Sequence, residues 1–480
     1  MPRIARSSAG IGLRAAFVAG LFGLLSGLAP ASPEVDRLAD LAAKGDRSAL
    51  DSLVDIARRK KDADAEYALG VMAYEGLGLE RNSKQAFQLF ERAAAKGHAE
   101  AGNLLGYFYE HGIGTRANLE QAAAAYKRGA EAGSARARTN LGWFYENGIV
   151  VGKDSAVAAD WYKQAADQGL AAAHANLASL YETGNGVDRN PVIAIALYER
   201  AMAGGVSSAA LRLGRLLEAR GNVAGATEHY VTAANAKVPE ADLAAGRLLV
   251  AADNPRRDVG MGVHLLEQAA ARDKLDAALL LANLFDKGIG VKADAPRAAN
   301  YFQRAAVLGD AQSAFRYARF LAAAQKPGPA TDPLPWFRRA ALAGHAEAQY
   351  ELARRLDGRG ASAEARKEAI DWYRKAALQG HVPGALGLAI ALETGRGGGA
   401  SPSEAIEWYL KAAAANDPEA FFRLGHLYDR GIGTAADFSR ARDYYSRAAA
   451  LGHEEASRIL QRIAGVQPEG IRNDPFNGMR

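Results

Sequence analysis

From Asp64 onward the chain returns again and again to one apolar signature, a pair in which Leu is typically followed by a small residue. The small residue falls at Gly70, Gly106, Gly142, Ala178, Gly214, Gly246, Ala282, Ala318, Ala353, Ala389 and Gly425. Eight of the ten steps between these positions are 36 residues, with one of 32 and one of 35. A fixed period of this size predicts stacked helical hairpins, each too small to bury its own apolar side alone.

The unit around Asn140-Leu-Gly-Trp-Phe-Tyr-Glu-Asn-Gly148 shows the parts most fully. Leu141 and Tyr145, four apart, share one helix face, and Gly142 lets a neighbouring helix come close. Trp161-Tyr162 and Ala165-Ala166 mark a second helix, the bulky pair filling the gap between helices and the small pair receiving the next unit. A G-x-G turn, as at Gly112/Gly114 and Gly431/Gly433, supplies positive φ after the first helix, and a further glycine such as Gly169 ends the second. Units five, six, eight and nine lose the G-x-G, the fifth being four residues short.

This pattern resembles the Sel1-like repeat family, relatives of tetratricopeptide repeats with a longer inter-helix loop. The resemblance implies an all-α fold, an α-solenoid wound as a right-handed superhelix of about eleven helix pairs over residues 64–452. Residues 32–63 read as degenerate capping helices, 453–465 as a closing helix and 466–480 as an unstructured tail rich in Pro and Gly.

Residues 1–31 change the picture of where the chain works. A basic stretch through Arg14, an apolar run of about fifteen residues and the close Ala29-Pro30-Ala31 read as a cleaved signal peptide, the run being shorter than the roughly 18 to 20 residues of a bilayer span. The expectation is a periplasmic or secreted protein, with no transmembrane span after cleavage and no cysteine for a lipid anchor.

Net charge is +5, near +2 without Arg3, Arg6 and Arg14, which gives no electrostatic case for nucleic acid. With no cysteine, disulfides, thiolate metal sites and a cysteine nucleophile are excluded. No H-E-x-x-H, G-x-S-x-G or P-loop signature occurs, so no catalytic residue, metal site or cofactor is expected. His98, His345, His381 and His453 follow the terminal glycine of their units and read as turn residues.

The resemblance implies that the residue after the Leu-small pair lines a concave groove. Tyr107, Trp143, Arg215, Arg247, Arg319 and Arg354 occupy that position and form the candidate partner-binding set. Arg215 with Glu218 and Arg354 with Asp357 read as pairs on one helix surface. Arg247 and Arg319 have Val250 and Ala322 at the corresponding place, which makes them candidates for an external carboxylate. The function expected is a non-enzymatic protein-protein interaction scaffold or regulator of the cell envelope, in signalling or in export of an alginate-like exopolysaccharide. Binding of an anionic polysaccharide is the alternative, and a β-lactam-binding Sel1-type enzyme a more distant one.

Overall fold

A computed structural model describes residues 33–323 and 331–465. The expected signal peptide and tail lie outside the described residues. Within them the regular elements are all helical. The chain divides into two compact units, Met1–Leu265 and Leu266–Arg480.

The first unit opens with α1 (Pro33–Ala43) and α2 (Arg47–Asp55), the latter running into a π turn over Ile56–Lys60. Helix pairs follow: α3 (Ala63–Glu75) with α4 (Ser83–Ala95), α5 (Ala99–His111) with α6 (Leu119–Glu131), and α7 (Ala135–Asn147) with α8 (Ser155–Asp167). Next come α9 (Ala171–Thr183) with α10 (Pro191–Ala203), then α11 (Ser207–Ala219) with α12 (Val223–Asn235). The sixth pair is α13 (Ala241–Val250) with α14 (Val259–Ala271), and the division between the units falls inside α14.

The second unit continues with α15 (Leu275–Lys287) and α16 (Ala295–Val307), α17 (Ala311–Ala322) and α18 (Leu334–Leu342), and α19 (Ala346–Leu356) and α20 (Ala363–Leu378). Then follow α21 (Val382–Thr394) with α22 (Pro402–Ala414), α23 (Pro418–Arg430) with α24 (Phe438–Ala450), and a last helix α25 (Glu454–Ile463). The described residues thus contain the eleven helix pairs that the period predicts.

The reason for the small residue in each first helix is an aromatic ring. A Cβ on Gly106 would stand 2.5 Å from the ring of Tyr126, and one on Gly214 would stand 2.6 Å from that of Tyr230. Of the bulky pair in α8 it is Tyr162 that is fully buried, with Trp161 half-buried beside it. The turn between the helices is fixed at both ends. In the second repeat Gly112, at φ 68, ends α5 in a left-handed cap while Ile113 N–H returns to Phe108 O at 2.9 Å. Asn118 then starts α6: its side chain accepts from Gln121 N–H and its own N–H reaches Tyr109 O at 2.8 Å.

The second glycine of G-x-G has a separate task. A Cβ on Gly114 would lie 2.2 Å from Ser83 O, at the start of the preceding repeat's second helix. Positive φ is therefore half of what this turn requires, and close approach of neighbouring repeats is the other half. Where the motif is lost, other residues hold the turn. In the sixth repeat Asn254, buried, donates to Leu248 O at 2.7 Å and to Thr227 Oγ1 of the fifth at 3.0 Å.

Candidate interaction faces

Eight of the eleven first helices carry an acid four residues after the small residue, and five of these acids accept a hydrogen bond from a tyrosine of the following helix. Tyr126 Oη donates to Glu110 at 2.9 Å, Tyr162 to Glu146 at 2.7 Å, Tyr198 to Glu182 at 2.7 Å and Tyr409 to Glu393 at 2.5 Å. In the shortened fifth repeat Tyr230 still donates to Glu218, at 2.8 Å. Burial, followed by this hydrogen bond and the negative charge of Glu218, pushes the Tyr230 hydroxyl well above its ordinary value.

Several of the acids at this position also face a guanidinium of the next repeat. Arg212 lies 3.7 Å from Glu182, Arg316 2.9 Å from Asp286 and Arg423 3.5 Å from Glu393. In the sixth repeat the guanidinium comes from Arg247, whose Nη2 is 2.5 Å from Glu218 Oε1. Burial opposes the charged form of Glu218, but hydrogen bonds from Arg247 and Tyr230 outweigh it and hold the carboxyl below its usual range.

These contacts correct two expected pairings and the expectation for Arg247. Arg215 pairs with Glu240 of the next helix, at 2.7 Å, and not with Glu218. Arg354 pairs with Glu351 at 3.0 Å, while Asp357 takes Arg396 at 3.2 Å. Arg247, expected to await an external carboxylate, has an internal one. The expectation failed because it tested only the position three residues along the same helix, whereas Glu218 reaches Arg247 from the preceding repeat.

Arg319 stands apart. It is exposed, with its guanidinium 5.8 Å from the ring centre of Phe315, and no carboxylate among the described residues makes an ion pair with it. Tyr107 and Trp143 are half-buried, Tyr107 with its ring 4.1 Å from that of His111 and Trp143 edge-on to Phe144 at 5.8 Å. Tyr107, Trp143, Arg215 and Arg247 belong to the first unit, and Arg319 and Arg354 to the second.

The histidines after the terminal glycines do more than turn. Each caps a first helix: Nδ1 of His98 accepts from Ala101 N–H at 3.0 Å, and His345, His381 and His453 accept from Ala348, Gly384 and Ala456. With Nδ1 accepting, the ring proton sits on Nε2, which faces the preceding repeat: Glu347 at 2.7 Å for His381 and Glu419 at 3.1 Å for His453. The rings also stack on that repeat, His98 on Tyr67 at 4.3 Å and His453 on Phe422 at 4.3 Å. The signal was visible as a recurring His, but its capping role needed the register of the helix start.

Among the described residues no group of three His, Cys, Asp or Glu could hold a metal ion, and no helix is long and apolar enough to cross a membrane.

The Sel1 repeat is recognised at residues 63–98, 99–134, 135–170, 171–206, 250–274, 275–310, 336–345, 346–381, 382–417 and 418–453. The gap at 207–249 covers the shortened fifth repeat. Among solved structures, the chain is similar to c5321, "a protective antigen present in uropathogenic Escherichia coli strains displaying an SLR fold", at 26% identity over 87% of this chain and 90% of that one, with a TM-score of 0.61. A Sel1 repeat protein from Oxalobacter formigenes is similar at 22% identity over 72% of this chain and 96% of that one, with a TM-score of 0.29. No curated protein matches the sequence. Ten recognised repeats on a framework of stacked helix pairs leave one assignment: the chain belongs to the Sel1 repeat family, whose members are generally protein-interaction scaffolds.

Proposed function

We propose that the chain is a non-enzymatic scaffold of the bacterial cell envelope that holds a protein partner on its first-helix faces. The observation that carries this reading is Arg319, an exposed guanidinium of the second unit with no carboxylate in ion-pair contact among the described residues, whereas Arg354 at the equivalent place of the next repeat is paired with Glu351. Such a cation is available to a carboxylate of a partner by two parallel hydrogen bonds. In the first unit, Tyr107 and Trp143 add flat, partly apolar surface of the kind that anchors interfaces.

Export is supported by the leader-like pattern of residues 1–31 and agrees with the description of c5321 as a protective antigen. Within the envelope, the roles that fit are regulation of signalling or organisation of exopolysaccharide export. Fractionation of cells expressing the full chain tests the compartment, and recovery in the cytoplasm would overturn it.

The binding face is tested by crosslinking in the envelope and comparing the proteins captured by the wild type and by Arg319→Ala. Loss of a specific partner at equal expression supports the reading; identical capture removes it. Titration with an anionic oligosaccharide, followed by tryptophan fluorescence, tests the competing polysaccharide reading, and a saturable change abolished in Arg319→Ala would favour it.

A further inference from the structure

The second helices of the second unit carry a row that the fold itself does not need. Val307, Leu342 and Leu378 occupy the same place, the last residue of α16, α18 and α20, and are 56%, 70% and 69% exposed. The corresponding residues of α6 and α8 in the first unit are Glu131 and Asp167, so the position is a solvated one in this architecture. Single exposed aliphatics are ordinary, but three in register on consecutive helices are not.

One turn earlier on the same helix face stands a cation in each case: Arg304, Arg339 and Lys375. Arg304 is paired with Asp273 at 3.1 Å. Arg339 donates to Val307 O at 2.9 Å, and Lys375 lies 3.9 Å from the ring centre of Trp372; neither makes an ion pair with a carboxylate among the described residues. Of the acids on α20, Asp371 faces Arg374 at 3.8 Å and Glu368 is engaged by Arg338. The contact from Arg339 to Val307, together with that from Arg338 to Glu368, shows that successive second helices are neighbours.

We infer that this row is a second docking surface, separate from the first-helix face, and that its occupant is an acidic amphipathic helix of a partner protein. Packed helices lie about 8 to 10 Å apart, and seven residues of an α-helix advance about 10.5 Å, so apolar residues at heptad spacing can meet the three aliphatics in turn. Carboxylates flanking them then face Arg339 and Lys375, which gives the surface its sign preference. A lipid surface is the less suitable occupant, because three aliphatics in one line offer little to bury.

The experiment uses the full chain and a labelled synthetic helix with leucines every seven residues flanked by glutamates, read by fluorescence anisotropy. Saturable binding is expected, at least tenfold weaker for Leu342→Glu with Leu378→Glu and weaker again for a peptide of the same composition in scrambled order. Lys375→Glu should weaken it too, and Arg319→Ala on the other face should leave it unchanged. Because these side chains are exposed, helical dichroism of the variants should match the wild type; Leu342→Ser with Leu378→Ser replaces the glutamate variant if it does not. Absence of saturable binding, equal binding of the scrambled peptide, or insensitivity to the leucine changes overturns the inference. So does co-sedimentation with phosphatidylglycerol vesicles that the same leucine changes abolish, which would assign the row to a membrane.

Discussion

The ring of Tyr126 occupies the space that a side chain on Gly106 would need, its nearest atom 2.5 Å from where a Cβ would be. Gly106→Ala should therefore destabilise the first unit by about 1 to 3 kcal/mol, the usual cost of overpacking, seen as a lower urea midpoint. In a Tyr126→Ala background the ring is gone, and the same change should be neutral or stabilising, since Ala is favoured over Gly inside a helix by about 1 kcal/mol. An equal cost in both backgrounds would refute the steric account.

Arg247 and Arg319 look alike in sequence and should behave oppositely. Arg247→Ala removes a half-exposed partner of Glu218 and should cost up to about 1 kcal/mol of stability. Arg319→Ala should change stability by less than about 0.5 kcal/mol while losing the bound partner. Chemical denaturation beside envelope crosslinking separates the two, and a reversed pattern would contradict the assignment of the faces.

Asn254 is buried and satisfied by two acceptors, one in its own repeat and one in the repeat before. Asn254→Ala leaves Thr227 and the end of α13 without that donor and should cost about 1 to 3 kcal/mol, measured by urea denaturation. A neutral result would mean that the loop holds itself.

Acid should loosen the junctions between repeats. Burial is the main influence on His98, opposed by Asp64 and Glu100, and its pKa falls below the ordinary 6.5; His345 shifts the same way, again through burial. Between 6.5 and the lowered native value the unfolded chain takes up a proton that the native chain does not. Stability from these residues is thus complete above about pH 6.5 and declines as pH drops below it. Protonation of Nδ1 would also remove the acceptor that caps α5. His98→Asn keeps a capping oxygen without titrating, so its stability should vary less between pH 7 and 5 than that of the wild type; parallel curves would dismiss the role.

The helix pairs were legible because the small residue answers a local steric demand repeated every 36 residues, so Gly70 to Gly425 announce their partners in register. The acids were legible as residues but misread as to what they meet. Glu146 and Tyr162 stand 16 positions apart, as do Glu110 and Tyr126, while Glu218 and Tyr230 stand 12 apart because their unit is four residues short. That constant offset was present in the sequence; a rule confined to neighbours on one helix could not register it. The exposed aliphatics of α18 and α20 escaped for a different reason, since a Leu at a helix end looks like core until burial is measured.

Glu218 faces both ways, toward Tyr230 of its own hairpin and Arg247 of the following one. A gene that lengthens by copying one whole period carries both halves of this handshake across each new seam, so duplication yields a foldable product at once. An insertion out of phase strands a carboxylate on one side and a guanidinium on the other. The seam therefore tolerates a change of length only where both contacts survive, as in the fifth hairpin, whose four missing residues fall between Glu218 and Tyr230 and leave their hydrogen bond intact.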